Sequence, residues 1–304
     1  MDEWLTQTSD AAVLVTVAQV EGSAPREPGA RMLVTAARAF DTIGGGHLEL
    51  RAIEIARAML QDGRQRHLER FALGPSLGQC CGGVMLLAFE LADTSELASR
   101  RGQDSWRMVA LDGAPERALR DAVPAALRER GTHLMQDAEG RRWLVDLVAV
   151  PRNHLLLFGA GHVGQALVRA LAHLPCTVTW VDERDDMFPH ELPANVTVEA
   201  SDVPEALVAA APNGASYLVM THSHALDQRL AEAIMARAGV GWFGLIGSQT
   251  KRCQFERRLR ERGFDPARIE AMVCPIGLPG IAGKAPAVIA ASVAAQLLMV
   301  WEKI

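Results

Sequence analysis

The sequence lacks a disulfide framework. It holds five cysteines, an odd number, and two of them are adjacent. That usage excludes a disulfide-stapled secreted scaffold and leads us to expect a reducing, cytoplasmic setting. Neither sign of charge dominates: 31 basic and 36 acidic residues leave a net charge of −5, with no basic footprint for nucleic acid. The opening stretch, MDEWLTQTSD, is acidic and polar and has neither a basic nor an apolar region, so no signal peptide is expected. The longest apolar run, 285–301, is broken by Pro286, Ser292 and Gln296. It falls short of the roughly 20 residues that a membrane span needs, and it reads as a buried helix rather than a membrane segment. No Ser–His–Asp ordering, HExxH string, internal repeat or low-complexity tract is visible.

What is present fits a globular protein of two domains: 304 residues, 49% hydrophobic and 22% charged. The most informative stretch is LLLFGAGHVGQALVRALAHLPCTVTWVD at 155–182. Leu155 to Phe158 make a short apolar strand. Gly159, Gly161 and Gly164 follow in GxGxxG spacing, then a helix with apolar Val163, Leu167, Val168 and Leu171, then a second strand, 177–181, ending at Asp182. This is one βαβ unit with its glycines in the turn. The first glycine permits the turn, the second admits a phosphate to the backbone, and the third lets helix pack on strand. The helix start offers free N–H groups to an anion. Asp182 lies 18 residues after Gly164, near the offset at which an acid meets a ribose hydroxyl. Two outcomes stay open here: a dinucleotide site, or a Rossmann scaffold that holds none.

Before this unit, apolar alternation predicts strands at 12–20, 31–35, 40–43, 68–73, 84–91, 106–111, 132–135 and 143–150, with helices at 47–60 and 114–130. The loop at 22–29 makes the first two strands a hairpin with a long tip. After the unit, strands at 196–199, 216–221 and 242–246 alternate with helices at 204–211, 226–238, 251–262 and 285–303. That alternation predicts a parallel sheet. The expected fold is therefore α/β: a mixed α+β N-terminal domain over 1–150, then a Rossmann-like domain over 151–304.

Three glycine-dense loops fall at 22–29, 44–46 and 74–83. Glycine costs backbone entropy, so three such loops invite one of two explanations. Either backbone approaches a flat or phosphorylated ligand, or a compact β domain needs three tight turns. Gly44-Gly45-Gly46 leads into a helix start, a natural anion site, and Arg26 and Arg31 would add charge. Cys80-Cys81 lacks the twice-repeated spacing of a structural zinc site. The pair reads either as a soft metal ligand or sulfur acceptor, or as small buried hydrophobes. Cys176, Cys253 and Cys274 stand singly and read as structural. His222-x-His224-x-x-Asp227 follows an apolar strand and faces the crevice of an open sheet. A ligand-facing role without metal is expected there, and Gly247-Ser248 ends the next strand toward the same crevice. The loop at 275–284 reads as a lid, a ligand contact or a plain connection.

Taken together, these segments resemble the XdhC family (XdhC/CoxI), accessory proteins of xanthine dehydrogenase. The matching runs are GSAPREPGARMLV at 22–34, TIGGGHLE at 42–49, QCCGG at 79–83, LLLFGAGHVGQALV at 155–168, VDER at 181–184, MTHSHALD at 220–227, GLIGSQTKR at 244–252 and PIGLPGIAGKAPAVIAASVAAQLL at 275–298. Two positions depart from the pattern: Asp41 stands where a glycine is expected, and Ser223 where the family often has an acid. The resemblance implies a non-enzymatic molybdenum cofactor (molybdopterin) chaperone. Such a protein protects the sulfurated cofactor, works with a cysteine desulfurase and inserts the cofactor into the molybdenum subunit of xanthine dehydrogenase. The cofactor is expected between the two domains of a homo-oligomer. Arg26, Gly44, Gly45, Gly46, Gly159, Gly161, Gly164, Asp182, His222, His224, Gly247 and Ser248 would contact it, and either Cys80 or Cys81 would ligate molybdenum. The competing reading, from 155–182 alone, is an NAD(P)-dependent oxidoreductase.

Overall fold

A computed structural model describes residues 11–74, 82–93, 105–112, 117–120, 131–148 and 153–302. The chain divides into two compact units, one within 2–150 and one over 151–304. Among the described residues no helix is long and apolar enough to cross a membrane.

The first unit is built on β1 (Ala12–Glu21), whose residues 12–18 are all buried. A strand buried on both faces has to be central, and β1 is. It lies in the antiparallel order β3-β2-β1-β5-β4, with β2 at Arg31–Thr35, β3 at Ala39–Asp41, β4 at Arg66–Ala72 and β5 at Val84–Leu91. One face carries Val13, Val15 and Val17 against Leu48, Ala52, Ala56 and Met59 of α1 (Gly46–Asp62). The other face carries Ala18 and Ala88 against Val109 and Leu144 of a second antiparallel sheet. Its order is β7-β6-β9-β8, with β6 at Ser105–Ala110, β7 at Arg117–Arg120, β8 at Thr132–Gln136 and β9 at Arg142–Val148. The helix expected over 114–130 is overturned where the structure describes it. Residues 117–120 form a strand paired to β6, from Val109↔Arg117 to Trp106↔Arg120. An unpaired β6 edge offers more to this short segment than its helix propensity does.

Between the two sheets lies a buried ionic network. Asp146 is fully buried and meets Arg31 at 2.9 Å and Arg107 at 3.0 Å. Thr132 Oγ1 donates to its other oxygen at 2.5 Å. Arg107 also pairs with Glu90. Arg31 is thus spent on sheet-to-sheet packing, and the sequence expectation that it charges an anion site is corrected.

The second unit holds the parallel sheet that alternation predicted. It runs β12-β11-β10-β13-β14, where β10 is Asn153–Phe158, β11 Cys176–Asp182, β12 Val196–Ala200, β13 Ser216–Val219 and β14 Trp242–Leu245. In chain order this is 3-2-1-4-5, a doubly wound sheet whose strand order reverses beside β10. Among the described helices, α2 (His162–Leu171) and α7 (Pro286–Trp301) cover one face with Leu167, Leu171, Val293 and Leu297. The other face is covered by α4 (His224–Ala236), α5 (Gln249–Glu261) and two short helices, α3 (Glu205–Ala210) and α6 (Pro266–Ala271).

Candidate functional site

In the first unit the glycine loops converge at the start of α1. Gly83 N–H donates to Ser23 O at 3.1 Å, and a Cβ on Gly83 would lie 2.3 Å from that oxygen. A Cβ on Gly44, whose φ is +124°, would lie 2.6 Å from Pro25 Cγ. Arg26 reaches across to donate to Thr42 O at 3.0 Å and also pairs with Glu27. Of the two explanations for these glycines, close packing of the unit on itself accounts for Gly44, which leaves room for the Pro25 side chain, and for Gly83, which leaves room for the Ser23 backbone.

The anion site expected at Gly44–Gly46 has an internal occupant. Glu49 turns back from the first turn of α1, and its Oε2 accepts from Thr42 Oγ1 at 2.5 Å, Ile43 N at 3.1 Å and Gly45 N at 3.0 Å. The Glu49 carboxylate thus caps the loop that enters α1 and places its own negative charge at the helix start. Composition gave no signal for Glu49, although it closes the TIGGGHLE run. Cys80 and Cys81 lie outside the described residues, while Gly83, two residues after Cys81, sits beside Ser23.

In the second unit the three glycines divide their tasks as the motif requires. Gly159 turns with φ +117°, and a Cβ there would lie 2.3 Å from Met220 O. A Cβ on Gly164 would lie 2.3 Å from Gly159 O, which also accepts from Trp180 Nε1 at 3.1 Å. Gly161 caps α2, and a Cβ there would meet nothing within 4 Å. It is the open position of the turn, and the first N–H groups of α2 have no acceptor inside the helix.

Asp182 is positioned differently from the ribose-reading acid that the spacing suggested. Its carboxylate accepts from Ala160 N at 2.7 Å, Arg184 N at 3.1 Å, Arg184 Nε at 2.9 Å and Arg184 NH2 at 3.1 Å. Four donors fill the roughly four lone-pair positions a carboxylate has. Burial pushes this carboxyl up, and the Arg184 and backbone hydrogen bonds outweigh it, so the group sits below its ordinary value.

Asp227 is likewise occupied. It is buried and accepts from Thr221 N at 3.1 Å, Thr221 Oγ1 at 2.7 Å and Lys251 Nζ at 2.6 Å. Lys251 also donates to Ile246 O at 2.8 Å. A Cβ on Gly247 would lie 2.5 Å from Lys251 Cδ, and Ser248 Oγ caps α5. Gly247 and Ser248 thus clear and cap the path by which Lys251 reaches Asp227, and no ligand surface is needed to account for them. Ser223 caps α4 in the same way, accepting from Leu226 N at 3.3 Å. The His–x–His–x–x–Asp string does not gather a metal set: among the described residues no group of three potential ligands occurs. His222 lines the crevice, and His224 is exposed in the first turn of α4.

The crevice opens at the C-terminal ends of β10, β11 and β13. Phe158, Val181, Pro204, Leu226 and Leu230 wall it, with Asp182, Glu183, Thr221 and His222 also lining it. Its cavity is small, about 10 Å³. A larger cavity of about 360 Å³ lies by Trp242 and Met272. It carries little chemistry, because Arg268, its charged lining residue, already donates to the carbonyls of Ile234 and Arg237.

Among the single cysteines, Cys176 is buried, and burial pushes its thiol up to about 11. Burial raises Cys274 as well. Cys253 is exposed, so the structural reading fits the first two and is corrected for the third.

Comparison with known proteins places these features. A family model described as the XdhC and CoxI family matches residues 5–72, and one described as the XdhC Rossmann domain matches residues 155–297. An uncharacterised protein of Escherichia coli, YqeB, is 29% identical over 150 residues, which are 49% of this chain and 27% of that protein. The chain therefore spans about a quarter of that relative's length. A crystal structure from Bacillus halodurans, described as a xanthine dehydrogenase, superposes with a TM-score of 0.77 at 22% identity, over 99% of this chain and 94% of that one. That likeness establishes the fold. With both halves matched by models of one family, in the order in which its motifs run along the sequence, the chain belongs to the XdhC and CoxI family.

Proposed function

We propose that this protein is an accessory factor of xanthine dehydrogenase that binds the molybdenum cofactor, protects its sulfurated form and passes it to the enzyme's molybdenum subunit. It is a carrier rather than a catalyst, receives sulfur through a cysteine desulfurase, and works in the cytoplasm as a homo-oligomer. The observation that supports this beyond family membership is the convergence of the 22–29, 42–46 and 82–83 loops at one end of the first unit. Cys80-Cys81 immediately precede the third of these in sequence, and a thiolate is a suitable ligand for a sulfur-rich molybdenum centre.

The fit is partial at the start of α1. Glu49 already takes the Ile43 and Gly45 N–H groups, so a pterin phosphate would bind there only by displacing it. The cysteines are therefore the residues to test. Protein made in a host that synthesises the cofactor should carry near-stoichiometric molybdenum and pterin. Cys80→Ala or Cys81→Ala should lower that loading, and unchanged loading in both single variants removes the ligand assignment.

A nicotinamide-dependent oxidoreductase is the second reading, favoured by the 3-2-1-4-5 strand order and the open Gly161. Micromolar nicotinamide binding by pterin-free protein, with hydride transfer, would put it first.

A further inference from the structure

The last helix of the second unit, α7, is apolar on every side. Over Pro286–Trp301 the side chains that carry oxygen or nitrogen are Ser292, Gln296 and Trp301, and all of them turn inward. Ser292 Oγ accepts from Leu278 N at 2.7 Å. Gln296 accepts from Gly277 N at 2.8 Å and donates to Gly277 O at 3.1 Å. Trp301 Nε1 donates to Ser216 Oγ at 3.1 Å. The side of the helix away from the sheet carries Val288, Ala291, Ala295, Leu298 and Met299, at spacings of three and four that put them in one stripe. Val288 is 38% exposed and Met299 51%. Ala291 is exposed, and Ala295 and Leu298 are half-buried. A helix on the surface of a globular protein turns polar residues to water, whereas one that is apolar all round is covered. A contiguous apolar face of this kind marks a contact with another macromolecule.

Charge stands at the two ends of the stripe. Lys284, two residues before the helix, and Glu302, directly after it, are both exposed. Among the described residues neither side chain has an ion pair. We propose that this face packs against the same face of a second copy of this chain, antiparallel, about a two-fold axis level with Val293. One register then sets Lys284 against the partner's Glu302, Val288 against the partner's Leu298 and Ala291 against the partner's Ala295, and the two-fold axis repeats each contact in reverse. The opposite charges at the two ends select this occupant and this direction, because a parallel pairing would set lysine on lysine and glutamate on glutamate. The small side chains at 291 and 295 lie at the crossing, where the two helices approach most closely. The inference rests on the homo-oligomer part of the proposed function, for which it supplies an interface, and does not depend on the Cys80-Cys81 assignment.

Sedimentation velocity of the full chain across a micromolar concentration series tests it. We expect a dimer. Ala291→Glu brings two carboxylates together near the axis and should weaken that dimer by about a hundredfold or more. Ala291 is exposed, so an unchanged far-ultraviolet circular dichroism spectrum will show that the variant is folded. Lys284→Glu should weaken the dimer by about tenfold, and the double variant Lys284→Glu with Glu302→Lys should restore it, because both reciprocal pairs form again with their signs exchanged. These two substitutions lie outside the helix and test the pairing even where Ala291→Glu folds poorly. A dimer unaffected by Ala291→Glu overturns the interface and leaves the homo-oligomer standing. A dimer weakened by Lys284→Glu that the double variant does not restore overturns the antiparallel pairing. A monomeric wild type overturns the inference and the homo-oligomer together. If that monomer binds purified xanthine dehydrogenase apoenzyme and Ala291→Glu abolishes the complex, the face belongs to the target enzyme instead. Molybdenum loading of the same samples is read separately, so failure of this inference is distinct from failure of the carrier reading.

Discussion

Asp41 holds φ at +63°, in the left-handed region that favours glycine, and its Oδ1 accepts from Thr42 N at 2.8 Å. Glycine is the residue that the resemblance led us to expect at this position. A short polar side chain that bonds locally is among the few that tolerate the conformation. Asp41→Gly should therefore be neutral or mildly stabilising, whereas Asp41→Ala keeps the strain, loses the bond and should cost about 1 kcal/mol in urea unfolding. Glu49 gives a larger effect. Its removal in Glu49→Ala strips the acceptor from two backbone N–H groups and a hydroxyl at the start of α1. The expected cost is about 1–3 kcal/mol, and a denaturant midpoint unchanged from wild type would contradict the capping role. Neither effect is legible in sequence, because the conformation of residue 41 and the fold-back of residue 49 exist only once the 42–46 loop has closed.

At the scale of elements, the glycine turn of the second unit was legible and the fate of its acid was not. Strand, GxGxxG, helix and second strand follow from local pattern alone, and β10, α2 and β11 fall where the pattern puts them. The turn yields a sharp contrast. Gly159→Ala combines φ +117° with overlap on Met220 O, each effect worth about 1–3 kcal/mol, and should unfold or strongly destabilise the second unit. Gly161→Ala meets open space and should shift stability by no more than about 0.5 kcal/mol while impairing any ligand at the turn. Equal melting temperatures for the two variants would refute this division of tasks. Between the sheets of the first unit, Asp146 joins Arg31 and Arg107. Burial raises its carboxyl, and attraction to Arg31 and Arg107 brings it below the ordinary 3.8. A carboxyl lower in the folded than in the unfolded state stabilises fully above its unfolded value, and that stability is lost as pH falls through the folded one. The first unit should accordingly weaken below about pH 4, as near-ultraviolet circular dichroism would follow. Asp146→Asn should cost about 3–5 kcal/mol at neutral pH and flatten that acid dependence, because it removes the buried carboxylate that Arg31 and Arg107 share.

At the scale of the whole molecule, the hydrophobic clusters of the second unit draw only on residues 155–301, and those of the first on residues before 150. We therefore expect residues 151–304 made alone to fold with one cooperative transition, since the sheet and the helices on both its faces are complete within it. A non-cooperative melt for that fragment would argue that its core needs the first unit. Sequence by itself determined most of the architecture: apolar alternation and its switch to helical period located the strands and helices, and the alternation of element types made the second sheet parallel. It misread residues 117–120, where the free edge of β6 decided between strand and helix. What only the tertiary structure decided is which polar groups remain open to a ligand. Arg31, Glu49, Asp182 and Asp227 all read as candidates or bystanders in one dimension. Folding brings Asp146 to Arg31, the Thr42 loop to Glu49, Arg184 to Asp182 and Lys251 to Asp227. A buried charge must find a partner on folding, and Lys251 and Asp146 come from strands and helices far along the chain, so no local pattern could reveal which acid would be left at the crevice.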